Sequence, residues 1–144
     1  MRSAPSQSTT TATGQRFPAR LADIRLPPEK VRALLTIQPN LLLSGPEAIT
    51  SAVLRSLRPV LRQPVWETDA AALTLPTTPM GAVIVLSAAS LSAEDQIRLL
   101  QWIHDQQLRV QLVTITAKPL FPLVSRGAFL APLYYLLNTL YVET

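Results

Sequence analysis

The chain has 144 residues, 48% of them hydrophobic, with a mean hydropathy of +0.24, enough for one domain with a real core. Without cysteine, and with a formal net charge of only +4, it has no disulfide framework and no thiolate metal site. No apolar run approaches the ~18 residues that span a bilayer, and no apolar stretch follows Arg2 as in a secretory signal, so a soluble, cytoplasmic protein without membrane contact is expected.

Charge is uneven along the chain. Residues 1–62 carry nine Lys/Arg against Asp23, Glu29 and Glu47, while the remainder has four Lys/Arg against six acids. A basic first half is compatible with an acidic protein or nucleic acid as partner, although 15% charged residues give only a modest field. Residues 1–18 are rich in Ser, Thr, Ala and Pro and have too few large apolar groups to offset the entropy of ordering. They are expected to be a disordered tail ahead of a single domain over residues 19–144.

That domain begins with Leu21, Ile24, Leu26, Val31, Leu34 and Leu35, interrupted by Pro27 and Pro28. Pro28 suits the first turn of a helix ending near Thr36. Leu41-Leu42-Leu43 reads as a strand entered from Asn40 and followed by Ser44-Gly45-Pro46; behind it Ile49, Val53, Leu57 and Val60 recur at helical spacing. Pro59 is placed to end or kink this helix. Arg55, Arg58 and Arg62 would share one basic face, which reads first as solvated surface.

Pro64–Glu67 predicts a second short strand, Asp69–Thr78 a connection, and Gly81 the start of a buried strand over Ala82–Leu86. Ser92 and Asp95 form a capping box with Leu91 just outside it. The helix behind them runs to about Gln107, with Ile97, Leu100, Ile103 and His104 on its inner side. Gln111–Thr116 is a β-branched strand. Leu120–Arg126 and Leu130–Leu137 are helical pieces separated by Gly127, and Leu140-Tyr141-Val142 closes the sheet. Strands alternating with helices predict a three-layer α/β/α sandwich with a mainly parallel sheet.

One stretch, Gly127–Asn138 (GAFLAPLYYLLN), resembles a signature of the bacterial sigma-54-dependent activators, Gly-x-Phe-Arg-x-Asp-Leu-Tyr-Tyr-Arg-Leu-Asn. Gly127, Phe129, Leu133, Tyr134, Tyr135, Leu137 and Asn138 match. In Gly81–Leu100, Leu91, Ser92, Gln96, Leu99 and Leu100 match the family's second nucleotide motif. Asn40–Pro46 is similar to its first strand and the start of its P-loop. The resemblance covers roughly residues 40–142 and implies a P-loop NTPase core of the AAA+ type. It also implies a degenerate one.

A working phosphate loop reads Gly-x4-Gly-Lys-Ser/Thr, so that backbone N–H groups and lysine hold the phosphates and the hydroxyl holds magnesium. Here Gly45 stands alone: Thr50 replaces the second glycine, Ser51 the lysine and Ala52 the metal ligand, with Glu47 adding negative charge. Ser87 and Ala88 stand where the resemblance implies the Asp-Glu pair for metal and water, and Ala117 where it implies a polar sensor. Leu130 and Leu136 replace the two trans-acting arginines. One arginine finger contributes roughly 10³–10⁵ in rate, so hydrolysis is expected to be lost. The family's Gly-Ala-Phe-Thr-Gly-Ala loop has no counterpart in Leu61–Met80, and the chain stops where its helical lid would start.

Other chemistry is thinly supported. A Ser87–His104–Asp triad lacks the Gly-x-Ser-x-Gly elbow, and His104 reads as a structural core histidine. Glu94 and Asp95 suit a helix N-terminus. Trp66, Trp102, Tyr134, Tyr135 and Tyr141 are too scattered for a base-stacking platform, and metal-ligand spacing is absent. The expectation is a non-catalytic regulatory module of transcription with no required cofactor. Leu130, Pro132 and Leu136 would contact another protein (an AAA+ regulator or transcription component) or a second copy. The alternatives are an ATP/ADP sensor using the Gly45, Thr50 and Ser51 remnant, and a DNA-contact module using Arg55, Arg58 and Arg62.

Overall fold

The computed structural model describes residues 28–77, 81–106 and 110–144. The expected tail over residues 1–18 and the expected first apolar positions, Leu21, Ile24 and Leu26, lie outside them. Helix α1 spans Pro28–Thr36, strand β1 Leu41–Ser44 and helix α2 Glu47–Leu57, followed by a 3₁₀ turn over Arg58–Val60 that contains Pro59. Strands β2 (Val65–Asp69) and β3 (Gly81–Leu86) come next, then α3 (Ala93–Gln106) and β4 (Val110–Thr116). The short helices α4 (Phe121–Ser125) and α5 (Ala131–Leu137) lead to β5 (Leu140–Glu143).

The five strands form one sheet in the order β2-β3-β4-β1-β5, every adjacent pair parallel. Parallel crossovers are right-handed, so the direction in which the chain steps across the sheet decides where each helix lies. From β1 to β2 it steps one way, and α2 packs on one face. From β2 through β5 it returns, which puts α3 and α5 on the other. The core divides accordingly. Leu41, Leu43, Ala82, Ile84, Val113 and Ile115 meet Val53, Leu54 and Leu57 of α2. Leu42, Val83, Val85 and Leu112 meet Leu99, Leu133 and Leu137. Alternate strand residues serve opposite faces, as the two-residue pleat requires.

Local chemistry fixes the element ends. The Ser92 hydroxyl accepts the Asp95 N–H at 3.0 Å and so caps α3, as its sequence suggests. At the end of α4, Gly127 (φ 78°) donates to Val124 O while the Ala128 N–H reaches Leu123 O at 2.8 Å. That Schellman pattern stops α4 and turns the chain into α5.

Two side chains, one buried and one half-buried, knit the layers. Gln96, 3% exposed, donates to Leu91 O and Ala128 O and accepts the Leu130 N–H at 2.8 Å. Asn40 accepts the Leu112 N–H and donates to Leu136 O, tying β4 to α5.

Several helix faces differ from those expected. His104 and Ile97 are exposed, and Gln96 and Leu99 are the buried residues of α3. His104 is therefore not a core histidine. On α2, Ile49 is exposed and Thr50 is buried; the Thr50 hydroxyl donates to Glu47 O at 3.2 Å, which removes the penalty of hiding it. The three arginines do not form a stripe, because α2 ends at Leu57 and the chain is extended from Leu61. Arg58 pairs with Glu67, and the Arg62 Nε–H donates to Gln38. Among the described residues no helix is long and apolar enough to cross a membrane.

Candidate functional site

Ligands of open α/β sheets sit beyond the carboxyl ends of the strands. There a cavity of about 270 Å³ is lined by Gly45, Thr50 and Ser51 from β1–α2, by Ser87 after β3 and by Ala117 after β4. The fold thus gathers the expected remnants of the phosphate loop and of the sensor around one space. Ser87 is exposed at its mouth in a left-handed backbone conformation (φ 59°), which is strained for a side chain other than glycine or asparagine. Ala88 is fully buried in the core instead and does not line the cavity.

The decisive departure is in the backbone. A loop that wraps phosphate needs the residues after its first glycine held out of helix, with their N–H groups facing the ligand. Here α2 begins at Glu47, directly after Pro46. The N–H groups of Ile49 and Thr50 both bond Pro46 O, at 3.0 and 2.9 Å. Ser51 and Ala52 lie inside the helix, where each amide is engaged by the carbonyl four residues earlier. Gly45 itself donates to Thr116 O at 3.0 Å, extending the β1–β4 ladder. Thr144 covers Gly45, its N–H on Ser44 O at 2.8 Å. The glycine makes a tight strand-to-helix turn.

The electrostatics run the same way. Among the described residues no lysine or arginine lines this cavity, whereas Glu47 and Asp69 do. Asp69 is a site residue that the sequence reading missed, because it was assigned to the connection after β2. The strand in fact continues to Asp69, which pairs in register with Leu86 beside Ser87. Its carboxylate also accepts the Ala71 N–H. His104 stands far from Ser87: α3 starts beside the site and carries His104 roughly 16 Å down its axis, so the structure forms no triad.

The apolar replacements for the two fingers are not equivalent. Leu130 is half-buried and packs on the core. Leu136, also half-buried, forms part of the wall of a second cavity of about 360 Å³ at the opposite end of the sheet, beside Trp102 and Arg62. Pro132 is exposed. Near it stand Phe121 and Tyr135, 51% and 64% exposed, their rings 6.0 and 5.2 Å from that of buried Tyr134. Burial first, then the neighbouring phenols Tyr141 and Tyr135, raise the Tyr134 pKa, against the hydrogen bond from Asn138.

Comparison with known proteins places this geometry. The sequence model of the family described as Sigma-54 interaction domain matches residues 67–144, more than half of the chain. The chain belongs to the sigma-54 interaction domain family. NtrX from Brucella abortus in complex with ATP is similar in structure, with a TM-score of 0.65 at 19% identity over 86% of this chain and 35% of that one. Its ADP complex gives 0.63 at 20% identity over 80% and 35%. The P-loop NTPase domain of a sigma-54 transport activator from E. coli gives 0.53 at 18% identity over 74% and 97%. RuvB from Thermotoga maritima gives 0.54 at 16% identity over 81% and 42%.

At these identities the likeness shows the fold alone, the ATPase-like α/β core of P-loop and AAA+ proteins. The chain spans about a third of the NtrX chains it resembles. No curated protein matches its sequence. In this sigma-54 interaction domain the family residues that survive are largely those that hold the fold. Gln96, Leu99, Phe129, Leu133, Tyr134 and Leu137 are all buried.

Proposed function

We propose that this sigma-54 interaction domain is non-catalytic and acts by protein contact, as a regulatory module in transcriptional control. One observation carries the first half: α2 starts at Glu47, so the strand-to-helix turn leaves no ring of free amides for a polyphosphate. Lysine, both second-motif carboxylates and both fingers are replaced as well, and Glu47 and Asp69 line the cavity that remains. An ATP or ADP sensor is correspondingly the weaker reading.

Calorimetric titration of the full chain with magnesium-ATP and with ADP is expected to give no saturable heat below about 1 mM, a binding free energy weaker than about −4 kcal/mol. Phosphate release should stay at the blank rate. Release that disappears in Ser51→Ala would end the non-catalytic reading.

Contact is supported by the exposed apolar surface where the fingers of the resemblance would stand. Because Leu130 and Leu136 are half-buried, the exposed Pro132, Tyr135 and Phe121 are taken as its contact residues. Exposed aromatics are the side chains that dominate protein interfaces. Sedimentation equilibrium of the full chain is expected to show self-association weakened about thirtyfold by Tyr135→Arg, a hot-spot-sized loss of about 2 kcal/mol, with the thermal midpoint unchanged. Association indifferent to Tyr135→Arg would remove this surface from the proposal.

A further inference from the structure

Beyond the carboxyl ends of β3 and β4, the cavity beside Gly45 runs into a larger groove of about 610 Å³, the two sharing Ala89, Ser90 and Ala117. The groove is floored by Ala117, Pro119, Pro122 and Leu123 and edged by Lys118 and Arg126. Among the described residues no carboxylate lines it. Among the described residues the ion pairs are Arg58–Glu67 and Arg98–Asp95, so Lys118 and Arg126 both face it without an acidic partner. The joined space is therefore polar in one sense: Glu47 and Asp69 at one end, two unpaired cations at the other.

Both cations are held by fixed backbone. Thr116 Oγ1 donates to Lys118 O at 2.7 Å. Arg126 is the last residue before Gly127 in the Schellman turn, its N–H on Pro122 O. Residues eight apart in sequence are thus brought to one groove by α4 and the turns at its ends. Two cations on fixed backbone beside an apolar floor offer a ligand both charge and apolar contact, at the cost of ordering two exposed side chains.

We infer, on the footing that the chain is a protein-binding module, that this groove receives an acidic peptide segment of a partner protein with apolar side chains between its carboxylates. The carboxylates pair with Lys118 and Arg126, and the apolar side chains lie on Pro119, Pro122 and Leu123. The carboxylates Glu47 and Asp69 of the neighbouring cavity confine an acidic segment to the Lys118–Arg126 groove.

The test uses the full chain and a fluorescent synthetic peptide alternating Asp and Glu with Leu, followed by anisotropy, beside a counterpart with Asn and Gln in place of the acids. The acidic peptide is expected to bind at least about tenfold more tightly than the neutral one and to weaken as salt rises. The double variant Lys118→Glu, Arg126→Glu should lose about tenfold or more, and Lys118→Gln, Arg126→Gln a smaller part, both with an unchanged thermal midpoint. Arg55→Glu, an exposed cation of α2 away from the groove, should bind as the parent does.

Equal binding of the two peptides, or the same loss in Arg55→Glu, overturns the inference. So does pyrophosphate binding as tightly as the acidic peptide, since the groove would then be a small-anion site. Failure of peptide binding with phosphate release still absent removes the groove alone. Phosphate release by the pure chain removes the non-catalytic reading whatever the peptide does.

Discussion

Replacing Gln96 by leucine is expected to destabilise the fold by about 2–4 kcal/mol, because one buried and two part-buried backbone groups lose their partner at once, and an orphaned group costs ~1–3 kcal/mol where it is buried. Those groups are Leu91 O, Ala128 O and the Leu130 N–H. They join the start of α3 to the segment that enters α5, so the loss falls on the packing of two helices and not on one turn. For a domain of this size the thermal midpoint should drop by roughly 10–20 °C.

Urea unfolding of Gln96→Leu and Gln96→Glu separates shape from hydrogen bonding. Glutamate keeps the shape and the acceptor for Leu130 but, when ionised, no donor for the two carbonyls. At neutral pH it should be at least as harmful as leucine. A cost under about 1 kcal/mol for Gln96→Leu, the net value of one ordinary hydrogen bond, would show that these bonds do not hold the layers together.

Gly81→Ala is the second large loss expected, and Gly127→Ala is its control. Both glycines have positive φ, 86° and 78°, a conformation that costs an L side chain roughly 1–2 kcal/mol. Their surroundings differ. A Cβ on Gly81 would stand 2.0 Å from Pro64 O, 2.7 Å from Pro64 N and 2.8 Å from Gln63 C, whereas one on Gly127 meets nothing within 4 Å. The obstacle at Gly81 is backbone, held where Pro64 O accepts the Ala82 N–H at 3.0 Å, so β2 or β3 must shift.

Overpacking adds ~1–3 kcal/mol to the conformational penalty, which puts Gly81→Ala near 2–5 kcal/mol and Gly127→Ala near 1–2 kcal/mol by the same reasoning. Equilibrium unfolding of the two variants side by side measures the difference. Equal losses would mean that the close approach of Pro64 is not rigid.

The two variants also mark what was legible before any coordinates. Gly127 lies in a stretch whose glycine, aromatic and leucine spacing announces its turn. Gly81 precedes a plain apolar run and gives no hint of the backbone lying against it. Helix faces show the same limit. On α3 the apolar residues Ile97, Leu99, Leu100 and Ile103 fit more than one arc, and the sheet selects the one that buries Gln96 and Leu99 and leaves Ile97 and His104 in solvent. A glutamine is a poor candidate for the core until three backbone groups are seen to meet it.

Side-chain identity and order along the chain determined the rest. Apolar runs bounded by Gly and Pro fixed the strands, and Ser92 and Gly127 fixed helix ends. All of these are local properties, carried by residues near one another in sequence. The tertiary structure alone decided that α2 starts at Glu47, that Asp69 reaches the cavity beside Ser87, that Leu130 and Leu136 are half-buried, and that Lys118 and Arg126 edge one groove. Each depends on which distant strand or helix lies alongside, and a sequence pattern has period and composition but no neighbours.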